Sequence, residues 1–390
     1  MSASTADLDL RKRPTLAEAQ TPALVLDRKR LAANCERVTS RCRALGVHLR
    51  PHMKTLKSVD AAHMAVDPSH GGIAVATLNE AEYFAQRGFP DIQYAVCISA
   101  DKLPRAARIL ERAPRFSFFL DSLETARAVA EFARTSGRAL RAWLEIDSGE
   151  HRTGVAPEDP TLLDIARVLS HPAVRFEGVA THAGHSYGAR DPEELRAVAE
   201  QERLAIVRAA ETLRAAGIPV PGVSAGSTPT AMHSTQEEGV TELRAGVYMA
   251  GDLFQVALGS LTLDQVAITV LATVISHNQR LNQIVVDAGG LALSKDRSTA
   301  AGPGPDMGYG LVLDVLGRPL GSGMTVVGVH QEHGEIRAGS PLPFEKLPIG
   351  SRIRIMPNHV CMTAAMYGHY LVVDGTDTIA DVWERTNGWS

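Results

Sequence analysis

From residue 22 to about 252 the chain alternates short apolar, strand-like runs with helix-like segments, and it does so eight times. Strands are expected at 46–54, 72–77, 91–99, 115–121, 141–147, 175–182, 221–226 and 242–248. Helical patterns fill the gaps, as at 79–85 and at 192–216. The second is rich in Ala, Leu, Glu and Arg and stops at Gly217, a residue suited to the left-handed turn that ends a helix. Eight strands separated by helices predict a parallel (β/α)8 barrel rather than an open sheet.

After about residue 260 the pattern changes. Runs at 266–275 and 283–287 are β-rich, glycine-bearing turns separate them, and long helical patterns are absent. The expected organisation is an α/β chain with a (β/α)8 barrel over 22–258 and a mostly-β domain over 259–390 together with residues 1–21. The run Pro-Ala-Leu-Val-Leu at 22–26 is a strand ahead of the barrel and a candidate to pair with the β domain.

Composition narrows the function classes. With 390 residues, 45% of them hydrophobic, the chain can bury a large core. A net charge of −4 gives no basic footprint for nucleic acid. No stretch approaches the ~20 apolar residues of a membrane span. Four cysteines (Cys35, Cys42, Cys97, Cys361) are too few for a disulfide framework. The polar N-terminus lacks an apolar signal core, so a reduced, cytoplasmic protein is expected.

Chemistry in such a barrel gathers at the C-terminal ends of the strands. The first strand runs into Arg50-Pro51-His52-Met53-Lys54, which places Lys54 where a Schiff-base lysine would sit. The fifth runs into Asp147 to Gly154 and carries Arg152, a permanent cation able to hold an anionic oxygen. The sixth ends in Thr181-His182-Ala183-Gly184-His185-Ser186-Tyr187. After the seventh, Gly226-Ser227-Thr228 can offer amides and hydroxyls to a phosphate, as can the amides around Gly246-Val247 after the eighth. Solvated strand ends are often polar for no other reason, so each site alone is weak and their recurrence is the signal. Downstream, His359-Val360-Cys361 pairs an imidazole and a thiol, donors that suit zinc. Read as a strand, that segment turns both side chains to one face. A core histidine beside a buried cysteine is the plain alternative, against which Asn358 and Thr363 are unexpectedly polar for a strand.

In this order the motifs resemble the fold-type III, alanine racemase-like pyridoxal-phosphate enzymes. They are most similar to the branch of D-serine dehydratase, D-threo-3-hydroxyaspartate dehydratase and D-threonine aldolase. The matching segments include RPHMKTLKS (50–58), EIDSGEHRTGV (145–155), GVATHAGHSY (178–187), SAGSTPT (224–230), ELRAGVYMAGD (242–252), VDAGGLALSKD (286–296), QEHGEI (331–336) and PNHVCMT (357–363). The resemblance implies that Lys54 carries pyridoxal 5'-phosphate, that Gly226, Ser227, Thr228, Gly246 and Val247 line its phosphate, and that Arg152 meets its phenolic oxygen. It places His182 and Tyr187 near the ring or substrate. It gives His359 and Cys361 a divalent metal, zinc or else Mn2+, Co2+ or Mg2+, and it implies a homodimer.

The implied activity is a lyase acting on D-3-hydroxy amino acids, a dehydratase that yields a 2-oxo acid and ammonia. A D-threonine aldolase, which would release glycine and an aldehyde, is the first alternative, and an amino-acid racemase the second. The aldolase branch tends to carry Asp where this chain has Cys361, which favours dehydration. Leu56 departs from the polar residue that related sequences often have there. A non-catalytic pyridoxal-phosphate carrier would not need the 130 residues after position 260, and a metal hydrolase would leave Lys54 without a role.

Overall fold

The computed structural model describes residues 9–67, 69–321 and 323–389. The described residues fall into two compact units. One comprises the chain as far as Cys35 and Val247–Asn387, the other Glu36–Gly246 with Gly388 and Trp389. These boundaries fall at 35/36 and 246/247 in the chain, where the sequence pattern was divided at 21/22 and 258/259. Among the described residues no helix is long and apolar enough to cross a membrane.

The first strand, β1 (Ala23–Asp27), belongs to the β-rich unit, antiparallel to β10 (Ile268–Asn278) and parallel to β16 (His369–Val373). Between β1 and β10 come the eight barrel strands: β2 (His48–Pro51), β3 (Ile73–Val75), β4 (Ile92–Cys97), β5 (Ser117–Leu120), β6 (Leu140–Glu145), β7 (Val174–Ala180), β8 (Gly222–Ala225) and β9 (Glu242–Ala245). Each falls within one of the eight expected runs or overlaps it to within a residue. All neighbouring pairs are parallel, in the order β2-β9-β8-β7-β6-β5-β4-β3. A parallel bridge between His52 and Ala74 joins the two ends of that order and closes the ring.

The barrel interior is polar toward the N-terminal ends of its strands. Most barrels fill this space with branched apolar side chains. Here the buried Arg50 of β2 donates from Nε to both carboxylate oxygens of the buried Glu242 of β9, at 3.0 and 2.9 Å. Its Nη1 reaches Asp91 at 2.7 Å. Ser224 of β8 and Gln93 of β4 also donate to Glu242, at 2.6 and 3.3 Å. β4 and β9 are not neighbours in the sheet, so the last of these bonds spans the lumen. Burial alone would raise the Glu242 carboxyl. The Arg50 guanidinium and hydrogen bonds from His70 and Ser224 outweigh it and hold that carboxyl far below the usual range.

The remaining strands, β11 (Gln283–Val286), β12 (Gly310–Leu313), β13 (Thr325–Val329), β14 (Gly334–Arg337), β15 (Arg352–Pro357) and β17 (Ile379–Glu384), complete a nine-stranded sheet with β1, β10 and β16, in the order β11-β14-β13-β12-β15-β10-β1-β16-β17. Leu16, Val25, Leu271, Leu371, Val373 and Ile379 form one of its core clusters, and Leu253, Val266, Leu311, Leu313 and Met356 another. With the barrel, this mostly antiparallel sheet gives the barrel-plus-β organisation expected from the strand pattern, and the alanine racemase-like architecture that the resemblance implies.

Replacing Glu242 by Ala takes from the buried Arg50 one of its two carboxylate partners and leaves it Asp91, and removing one partner of a buried pair costs up to about 3–5 kcal/mol. That loss is read from denaturant unfolding of the variant against the wild type. Because the folded pKa of Glu242 is depressed, its contribution is fully present above the unfolded value of 4.5 and is lost progressively as pH falls below it. Glu242→Gln should therefore flatten the loss of stability on acidification.

Candidate functional site

The turn after β2 separates two lysines by their surroundings. The Met53 N–H donates to the Ala74 carbonyl at 2.8 Å and the Lys57 N–H to the Met53 carbonyl at 2.7 Å, so the turn is tied to β3 and closed on itself. Lys57 Nζ lies 3.1 Å from the buried Glu80 carboxylate and is neutralised there. Lys54 is exposed. Leu56 is fully buried.

The structure brings Lys54 together with His182 and Arg152 at the C-terminal mouth of the barrel. The charges on Lys54 and Arg152 both act on the His182 imidazole, which burial first of all pushes down to about 3. His182 Nδ1 lies 3.1 Å from the Gly226 carbonyl, which can only accept. The ring is therefore a neutral Nδ1–H tautomer with its Nε2 lone pair facing away. His52, two residues before Lys54, is held neutral as well, by burial and by the charges on Lys54 and Arg244. Arg152 is largely exposed and paired with Glu150 at 3.3 Å. Tyr187 is half-buried on the 3-10 turn Gly184–Gly188. The Ser186 hydroxyl of that turn lies 3.1 Å from the Ser227 hydroxyl, which joins the segments after β7 and β8.

At Gly226 the backbone has φ +113°, and a Cβ there would stand 3.0 Å from the Arg244 carbonyl. At Gly246 a Cβ would stand 2.5 Å from the His52 carbonyl. Neighbouring backbone thus approaches too closely at both for a side chain, and only glycine fits. Two amides there are already engaged: Gly226 N–H with Glu202 at 3.0 Å and Ser227 N–H with the Thr230 hydroxyl at 2.9 Å. The Ser227 hydroxyl is engaged as well, as the cap of helix Thr228–His233, where it accepts the Thr230 N–H at 3.2 Å.

His359 and Cys361 do not lie on a strand. β15 ends at Pro357, His359 is the N-cap of the short helix Val360–Thr363, and Cys361 sits in its first turn. The cause is local. Asn358 turns the chain by donating its side-chain amide to the Thr299 hydroxyl and the Gly308 carbonyl, both at 2.7 Å. The buried Asp252 accepts the Val360 N–H at 3.0 Å. The polar Asn358 and Thr363, odd in a strand, are ordinary in this turn. The extended backbone of the N-cap brings the imidazole within hydrogen-bonding reach of the Cys361 thiol even without strand geometry. Burial opposes charge on His359, but hydrogen bonds with Asp296 and Cys361 and the nearby Asp252 raise it to about 11. Asp296, whose Oδ2 lies 2.6 Å from His359 Nδ1, was not singled out from the sequence. It stands 63 positions away, where no local spacing could pair the two.

Among the described residues no group of three or more His, Cys, Asp and Glu side chains gathers as a metal cage. An imidazole and a thiol side by side still offer two donors of the type zinc takes, which suits a site whose other positions stay open.

A parallel barrel with an exposed lysine beyond its first strand, a neutral imidazole beside it and glycine turns after its last strands, continued by a mostly antiparallel sheet, defines the class of alanine racemase-like pyridoxal-phosphate enzymes. The family model described as "Alanine racemase, N-terminal domain" matches residues 26–253, and "Putative serine dehydratase domain" matches 267–373. The chain belongs to the alanine racemase N-terminal domain family, with a serine dehydratase-type second half. It is 44% identical to the D-threo-3-hydroxyaspartate dehydratase of Delftia sp. over 96% of this chain and 99% of that protein. It is 31% identical to the D-serine dehydratase of Dictyostelium discoideum over 95% and 97%. The solved structure of the Delftia enzyme superposes with a TM-score of 0.91 at 44% identity, covering 96% of this chain and all of that one. The D-threonine aldolase of Filomicrobium marinum gives 0.82 at 26% identity, covering 95% and 96%. The chain is thus a pyridoxal-phosphate-dependent lyase of the dehydratase or aldolase kind.

The His182 tautomer is open to test by NMR of protein labelled with 15N at the imidazole. Nδ1 should stay protonated and Nε2 unprotonated from pH 8 down to pH 5, with the signal assigned by its loss in His182→Ala. Protonation of Nε2 within that range would contradict the buried neutral ring.

Proposed function

We propose that this chain is a pyridoxal-phosphate- and divalent-metal-dependent dehydratase of small D-3-hydroxy amino acids. D-threo-3-hydroxyaspartate, D-serine and D-threonine are the candidate substrates, and a 2-oxo acid and ammonia the products. The observation that carries the reading is the Cys361 thiol within reach of the His359 imidazole, a donor pair for zinc where the aldolase branch is expected to hold a carboxylate.

Lys54 would hold the cofactor. Gly226, Ser227, Thr228, Gly246 and Val247 would face its phosphate, Arg152 its phenolic oxygen, and His182 and Tyr187 its ring. Bound pyridoxal phosphate supplies an electron sink that acidifies the C–H at the substrate's α-carbon. Lys54 Nζ then serves as the base that takes this proton. His182, neutral and hydrogen-bonded to Gly226, offers a flat uncharged face that leaves Arg152 as the cation for the phenolic oxygen. A zinc ion held by His359 and Cys361 would lend Lewis acidity to the departing β-hydroxyl, a poor leaving group unaided. The enamine released by elimination tautomerises to an imine, which water hydrolyses to the 2-oxo acid and ammonia. The enzyme is expected to work as a cytoplasmic homodimer.

Product analysis with the three D-amino acids, with and without EDTA, tests the reading. Ammonia and a 2-oxo acid, lost on chelation and restored by zinc, are expected. Glycine and an aldehyde would assign the chain to the aldolases instead. Lys54→Ala should abolish both turnover and the visible absorbance of the bound cofactor, and a retained band would remove Lys54 from its role.

A further inference from the structure

Resting on the reading of His359 and Cys361 as metal ligands, we propose that Asp296 is a positioning residue. Its carboxylate fixes the His359 imidazole as the Nδ1–H tautomer and aims Nε2 as the lone pair that a divalent cation takes together with Cys361.

The geometry is built from three contacts. His359 Nδ1 donates to Asp296 Oδ2 at 2.6 Å. The other oxygen of the same carboxylate, Oδ1, accepts the Ser298 hydroxyl at 2.6 Å. The Asp296 N–H in turn donates to the Ser294 hydroxyl at 2.9 Å, in a turn that Ser294 enters with φ +70°. The carboxylate is thus oriented from its own side before it meets the imidazole. His359 needs such a partner because it is an N-cap with extended backbone (φ −134°, ψ 103°) whose side chain makes no capping bond. In its own turn of helix the Cys361 thiol is within hydrogen-bonding reach of the ring, and Asp296 holds the Nδ1 edge from outside that turn.

A direct role for Asp296 on the ion does not fit. Nδ1 and Nε2 leave the ring on opposite edges, so a cation at Nε2 is out of reach of a carboxylate bonded to Nδ1. A bare surface ion pair is the other reading, since both side chains are about 30% exposed. Such pairs contribute little, and that reading predicts no effect on cation binding. Carboxylates behind ligating histidines characteristically change metal affinity 10- to 100-fold when removed.

The test uses full-length protein stripped of metal and titrated with Co2+. Affinity is read by competition with a chelator of known strength, and the ligand field by the visible d–d absorption. Asp296→Ala should weaken Co2+ binding about 10- to 100-fold and shift the band. Asp296→Asn keeps an acceptor for Nδ1–H but not the charge, and should weaken binding by less. Wild-type affinity and spectrum in both variants, with binding lost in His359→Ala, would overturn the role of Asp296 alone. Should Asp296→Ala fail to fold, wild-type affinity in Asp296→Asn overturns it equally. No Co2+ binding by the wild type, or full binding by His359→Ala, would overturn the ligand assignment and this inference with it.

Discussion

The ion pair between Arg50 and Glu242 is the interaction on which the barrel depends. It joins β2 to β9, the first and last barrel strands in the chain, and through Asp91 and Gln93 it reaches the far side of the lumen. Charges this deep are tolerated because every one is met. Arg50 has two carboxylates, and Glu242 accepts from Arg50, Ser224, Gln93 and, through one oxygen, His70. A half-completed network would cost more than an apolar core. The register that satisfies it is also the register that sets Lys54 three residues beyond the end of β2.

The mouth of the barrel works by contrast with that network. Its cations, Lys54 and Arg152, are exposed and its imidazoles neutral. Lys54 and Arg152 thus present positive charge to solvent, Arg244 carries a buried one that also acts on the imidazoles, and the rings stay uncharged. Two glycines keep the backbone bare where a side chain would collide with a neighbouring carbonyl. In the β-rich unit a second centre is assembled on another plan. Asn358 and Asp252 fold the chain into a turn, and His359 and Cys361 meet because that turn ends a strand.

What the sequence disclosed follows the range of the forces involved. The eight barrel strands were legible because each is a local apolar run with its own turn, and Lys54, Arg152 and His182 because strand ends in a parallel barrel share one rim. The placement of β1 was harder to read, since a strand's partners leave no mark on its own residues. The backbone at 359–361 was misread as strand because Asn358 looks like a flaw until its partners Thr299 and Gly308, 50 or more residues away, are known. Arg50 was quoted as part of a motif while its partner Glu242 lay 192 positions off. Asp296 escaped for the same reason.

The place of β1 also bears on how the molecule is made. The strand is an interior one, third from one end of its sheet, yet its two neighbours are β10 and β16, some 240 and 340 residues later in the chain. The whole barrel is threaded between one strand and the partners that cover its edges. During synthesis the chain therefore presents an apolar strand with two open edges until β10 emerges and with one until residues 369–373 emerge, a template for pairing with other chains. A nascent or truncated form of this protein is thus exposed to edge-to-edge association through β1, and the last strands of the chain act as its cover.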